Sequence, residues 1–173
     1  MQSTTRACSS SFLMAPKKAL LTGDMQFMRP QFNSGEVKSE MATLRQLVID
    51  QAPYTFVKLS HHGATNGQDI KFMRALGSKL LAISTGSNSG KHPTEPTLTA
   101  LQTWRDESSA QRARVDINGH CTFIGEASSP KLRVERNTLN NNTTPAKGQG
   151  DSISFEAVAP PATITTPSFQ AVV

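Results

Sequence analysis

Apolar residues arrive along this chain in short bursts, and the spacing inside successive bursts alternates between strand-like runs and a helical period. Lys18 to Leu21 is a brief apolar stretch running into Thr22-Gly23-Asp24, which predicts a strand that ends in a turn. From Glu36 to Ile49 the residues Val37, Met41, Leu44 and Val48 recur at helical spacing, with Ser34 available as a cap and Pro53 soon after the end. Phe56 to Leu59 is a second strand, stopping at Ser60-His61-His62-Gly63. A helix from Gln68 to Leu76 follows, closed by Gly77. Leu80 to Ser84 is a third strand and leads into the loop Thr85 to Pro93. Thr94 and Pro96 then open a helix carrying Leu98, Leu101 and Trp104. Arg114 to Ile117, Asn118-Gly119 and Cys121 to Ile124 predict a hairpin with a type I′ turn, and Leu132 to Val134 a further strand. The order strand, loop, helix, three times over, predicts an α/β fold.

Composition changes near Arg136. Residues 1–136 form one domain, whereas 137–173 are rich in Asn, Thr, Pro, Ser and Gly and carry only Lys147, Asp151 and Glu156 as charges. Such a segment lacks the apolar surface to offset its chain entropy, so a disordered tail is expected, with Ile153 to Val158 able to pair only if a sheet edge accepts it. A hydrophobic content of 36% and an aromatic content of 6% agree with a chain that is only partly packed. No run approaches the roughly 20 apolar residues of a membrane helix. Cys8 and Cys121 are too few for a disulfide framework or a cysteine zinc site and read as free thiols; with no secretory signal evident, a cytoplasmic location is expected. Lys and Arg exceed Asp and Glu by 18 to 13, a net charge of +5, which fits a polyanionic partner such as nucleic acid without requiring one.

Three loops carry candidate chemistry, each just past the end of an apolar strand: Asp24 after the first, His61 and His62 after the second, His92 after the third. Layered α/β folds place their sites at such ends. One carboxylate with neighbouring imidazoles suits a divalent cation, zinc first, with manganese or iron as alternatives. Each motif has an ordinary structural reading as well. A Thr-Gly-Asp turn is commonplace, paired histidines occur in plain loops, His92 before Pro93 could cap the next helix, and His120 beside the turn is expected to face solvent. The ordered conjunction of the three loops is what argues for a site.

Those residues resemble the metallo-β-lactamase-fold hydrolases, and within them the hydrolase domain of the ComEC/Rec2 DNA-internalisation proteins. Leu20 to Asp24 is similar to the family's strand and metal-bridging aspartate, and Val57 to Ala64 to its late histidine motif. Ile83-Ser84 through Asn88 to Gly90-Lys91-His92-Pro93 is similar to its last active-site loop. The likeness spans about Ser10 to Val134. The family's main His-x-His-x-Asp-His motif occurs nowhere in the sequence. The resemblance therefore implies the C-terminal half of an αββα sandwich, with one sheet face left open and self-association through it expected. It further implies Asp24 as a bridging metal ligand with His61 preferred as its companion, the order of His61 and His62 being reversible, and His62 as a catalytic group that hydrogen-bonds the substrate or orients a ligand. His92 would serve as substrate contact or proton donor, Lys91 would face a phosphate, and Ser84 and Asn88 would shape the loop. The function implied is metal-dependent hydrolysis of a phosphodiester, DNA being the first candidate. The alternative is a catalytically inactive half-domain or binding module; a true β-lactamase or thiolesterase is disfavoured by the His-His-Gly loop.

Overall fold

A computed structural model of the chain describes residues 18–29, 35–86, 91–126, 129–136, 138–140 and 153–156. Four strands, β1 (Ala19–Leu21), β2 (Phe56–Lys58), β3 (Leu80–Ile83) and β4 (Gln111–Arg114), form a parallel sheet in the order β1-β2-β3-β4. The crossovers between them carry α1 (Gly35–Asp50), α2 (Ile70–Leu76) and α3 (Glu95–Ser108). Each step adds a strand on the same side of the last, so right-handed connections put all three helices on one face. Val57, Leu59, Leu81 and Ile83 point to that face and pack with Phe72, Met73, Leu76 and Leu101, while Met41, Leu44 and Val48 of α1 close over them. This is the stripe predicted for α1, although Ser34 and the Val37 side chain lie outside the described residues. The second helix starts at Ile70, two residues later than its polarity suggests, because Asp69 caps it by accepting the Phe72 amide at 2.7 Å. Gly77 ends it at a φ of 66°, as expected of a left-handed cap.

Over β2, β3 and β4 the opposite face of the parallel sheet is not open. Alternate residues Phe56, Leu80, Ala82 and Ala113 pack against Cys121, Phe123 and Leu132 of a second, three-stranded sheet in the order β6-β5-β7. Its strands are β5 (Cys121–Ile124), β6 (Lys131–Val134) and β7 (Ile153–Glu156). Both sheet layers are thus built from this chain, and the apolar face on which self-association was expected is covered over β2, β3 and β4, while Ala19 and Leu21 of β1 stay exposed, Leu21 to 58%. One-sided winding of the helices made that second cover necessary.

Two further expectations are corrected here. No hairpin forms across Asn118-Gly119: β4 ends at Arg114, Val115–Asn118 coils into a one-turn helix, α4, and β5 pairs with β6 instead of β4. The cause is Asn118. Its side chain is buried and works as part of the fold, Oδ1 accepting the Arg114 amide at 2.8 Å and Nδ2 donating to the Thr138 carbonyl at 3.0 Å. Gly119, at φ 74° and ψ −148°, then turns the chain into the second sheet. The other correction concerns the segment expected to be disordered. Within it Ile153–Glu156 lies parallel to β5, and the Asn140 amide donates to the Arg112 carbonyl at 2.9 Å. Phe155 sets its ring edge-on to Phe56, centroids 5.5 Å apart, so an edge did accept this strand. The rest of 141–173 lies outside the described residues. No helix among the described residues is long and apolar enough to cross a membrane.

Candidate functional site at the strand tips

The C-terminal ends of β1, β2 and β3 bring the three loops together. The His61 amide donates to the Gly23 carbonyl at 2.9 Å, which ties the first loop to the second. Thr22 Oγ1 donates to the Lys58 carbonyl at 2.9 Å one step deeper. The third loop is held by Thr94, whose amide donates to the Gly63 carbonyl at 3.0 Å, and by Pro93, which packs so closely that a Cβ on Gly63 would lie 2.7 Å from its ring.

Both histidines occupy the left-handed region, His61 at φ 47° and His62 at φ 53°, a conformation that costs non-glycine residues on the order of 1–2 kcal/mol each. Surrounding contacts hold them there. His62 Nδ1–H donates to the Ser84 carbonyl at 2.6 Å, and His61 Nδ1–H donates to Asn66 Oδ1 at 2.8 Å. Asn66 is itself fixed, since Nδ2 donates to Gln26 Oε1 at 3.0 Å and its carbonyl accepts the Met28 amide at 3.0 Å. Below the loop, Ser60 Oγ stands 3.0 Å from the Gly67 carbonyl, and Gln68 Nε2 donates to the Ala64 carbonyl at 2.8 Å, both side chains buried. With each Nδ1 committed to an oxygen acceptor, each neutral imidazole keeps its Nε2 lone pair for the site.

The two rings then diverge. His62 Nε2 stands 3.3 Å from Asp24 Oδ1. His61 instead lines a polar cavity of about 740 Å³ with Arg29, Thr65, Asn66, Lys91, His92 and Thr94, its ring centroid 5.5 Å from that of His92. The Asp24 carboxylate is thus met by the His62 side chain, the reverse of the order preferred from the sequence. The two rings are held by different acceptors, His61 by Asn66 and His62 by Ser84. Ser84 enters the site through its carbonyl, on which the orientation of His62 depends. Asn88 lies outside the described residues. His120 is half-buried, with Nε2 2.9 Å from Ser154 Oγ on the second sheet, far in function from this site.

Two titrations are shifted here. Burial, with the like charges of His61, His62 and Lys91 added, holds His92 below the ordinary imidazole value, so it is neutral near pH 7. Burial lowers Lys58 as well, while Asp24 pulls it back up. Lys58, Asn66, Gln26 and Arg29 are the participants that sequence reasoning missed. Only Lys58 carried a signal, a lysine at the end of an apolar strand.

The chain matches no family model, no curated protein and no solved structure. The site is thus read from its own donors. Asp24 and His62 are the types that hold a borderline divalent cation, yet among the described residues no group of three or more His, Cys, Asp or Glu side chains converges as a metal site. A catalytic zinc takes three protein ligands. The described residues supply a pair.

Proposed function

We propose that this chain carries part of a metal-dependent hydrolase site of the metallo-β-lactamase type, acting on a phosphodiester, in which Asp24 and His62 furnish two ligands and further ligands complete the centre. The observation that carries this reading is the meeting of the three loops at adjacent strand tips, with Asp24 Oδ1 and His62 Nε2 3.3 Å apart. A bound divalent cation, zinc before manganese or iron, would lower the pKa of water and neutralise charge on a phosphoryl oxygen. The chain's own residues do the rest. Ser84 fixes the His62 tautomer, and His92 stands at the cavity wall as a substrate contact. Lys91 faces the anionic substrate, and the net charge of +5 favours approach by a polyanion such as DNA.

The test is calorimetric titration of the metal-free protein with zinc and with manganese, alongside Asp24→Ala and His62→Ala, followed by assays on DNA and a chromogenic phosphodiester. Saturable binding lost in both variants, with metal-dependent turnover, supports the reading. Binding that survives both substitutions ends it. A second reading, a non-catalytic binding module, is favoured by the lack of a third ligand among the described residues, and binding without turnover would select it.

A further inference from the structure

The cavity beside His61 has a property that the Asp24–His62 pair does not explain. It is lined by Arg29, His61, Ala64, Thr65, Asn66, Lys91, His92 and Thr94, and no carboxylate is among them. Neither Arg29 nor Lys91 has a carboxylate partner among the described residues. Asp24, five residues from Arg29, is set against His62, and Glu95, four residues from Lys91, lies in the first turn of α3 and does not line the cavity. Two cations without counter-charge in one concavity make a strongly positive potential, because the low-dielectric walls focus it.

Both cations sit on anchored backbone. The Met28 amide donates to the Asn66 carbonyl at 3.0 Å and the Arg29 amide to the same carbonyl at 3.4 Å, which sets Arg29 against the His61 loop. Across the cavity, Thr85 Oγ1 donates to the His92 carbonyl at 3.0 Å, which fixes the backbone next to Lys91. Between them lie two imidazoles and the hydroxyls of Thr65 and Thr94, 2.8 Å apart. A planar guanidinium fork and a point-charge ammonium together match a tetrahedral oxyanion, which presents several acceptor oxygens in different directions.

We propose that this cavity is a phosphate site, taking either free inorganic phosphate or the terminal phosphate of a phosphomonoester, with Arg29 and Lys91 as its two charged contacts. It deepens the hydrolase reading by assigning a place to a phosphate group beside the Asp24–His62 pair, but the binding needs no metal and is tested without one.

The experiment is an NMR titration of the full chain in the presence of a chelator, following the imidazole signals of His61 and His92. The probes are inorganic phosphate, adenosine 5′-monophosphate and adenosine. Phosphate and the monophosphate are expected to shift both rings saturably, and adenosine is expected to leave them unmoved. Tighter binding of the monophosphate assigns the site to an ester; equal binding assigns it to the free ion. Arg29→Gln and Lys91→Gln should each weaken binding roughly tenfold. Lys131→Gln removes the same charge from a side chain paired with Glu126 on the second sheet and should change little. Thermal unfolding of each variant verifies the fold, which two unpaired exposed side chains are not expected to support. Unchanged phosphate binding in the Arg29→Gln/Lys91→Gln double variant overturns the proposal, as does equal weakening by Lys131→Gln or an equal response to adenosine. Loss of zinc binding in the Asp24→Ala titration bears on the hydrolase reading alone, so the two can fail separately.

Discussion

Asp116 and Asp24 each stand against a basic side chain, in very different surroundings. Asp116 has a side chain 2% exposed and receives two bonds from Arg114, at 3.1 and 2.7 Å, where β4 turns into α4. The Asp24 side chain is 69% exposed and has a single contact, 3.3 Å, with His62. The buried pair fixes a corner of the fold and leaves no room for another partner. The exposed pair contributes little to stability, and one carboxylate oxygen remains open to a ligand. The histidine side of that second pair is the rigid half, anchored through Ser84, whereas Asp24 rides on an exposed turn.

Substitutions can set the two pairs apart. Asp116→Ala leaves a buried guanidinium uncompensated and should destabilise the fold by about 3–5 kcal/mol in urea denaturation. A loss no greater than that of an ordinary surface substitution would mean the pair is not buried in solution. Gly63→Ala places a Cβ 2.7 Å from Pro93 at a φ of 80°, and a cost of about 2 kcal/mol is expected from overpacking and backbone strain together. An unchanged midpoint would show that the third loop is not seated on the second. Asn66→Leu removes the acceptor for His61 and should cost about 1 kcal/mol while releasing His61 from its Nδ1–H tautomer, which nitrogen chemical shifts report. Asn66→Asp should restore the tautomer. Asp24→Ala should move stability by no more than about 0.5 kcal/mol yet abolish divalent binding, the opposite profile to Asp116→Ala.

The smallest effect expected is one of pH. The His92 pKa lies below its unfolded value near 6.5, so the unfolded chain takes up its proton first as pH falls. The stability contributed by neutral His92 is complete above that pH and is lost as pH drops from about 6.5 through the folded pKa. His92→Gln should flatten this slope in unfolding midpoints measured from about pH 7 to about pH 5. A steeper slope in the variant would reverse the assignment.

The parallel layer was legible because each of its strands is a short apolar run bounded by a turn and each helix carries a stripe at the right period. The meeting of the three loops was legible for the same reason: they follow strands that the pattern identifies, and topology brings the ends of adjacent parallel strands together. Side-chain direction was not. Whether His61 or His62 meets Asp24 depends on two left-handed dihedrals and on acceptors at Asn66 and Ser84, one five residues along the chain and the other 22 away. Asn118-Gly119 reads as a hairpin turn in sequence, but the bond that reassigns Asn118 runs to the Thr138 carbonyl, in a segment of low apolar content. Ile153–Glu156 was ambiguous for a related reason, since four residues make a strand only when a neighbour supplies the ladder.

The position of β7 has a consequence for the growing chain. Phe56 is made early, and its aromatic cover includes Phe155, about a hundred residues later, in a strand that pairs with β5 in parallel. During synthesis the helical layer has all of its parts once α3 and β4 have emerged, whereas the aromatic cluster lacks its Phe155 edge until Glu156 leaves the ribosome. A nascent polypeptide arrested between those points would leave β5 without its parallel neighbour and Phe123 without the Phe155 ring, and clipping it ahead of residue 153 after release would do the same.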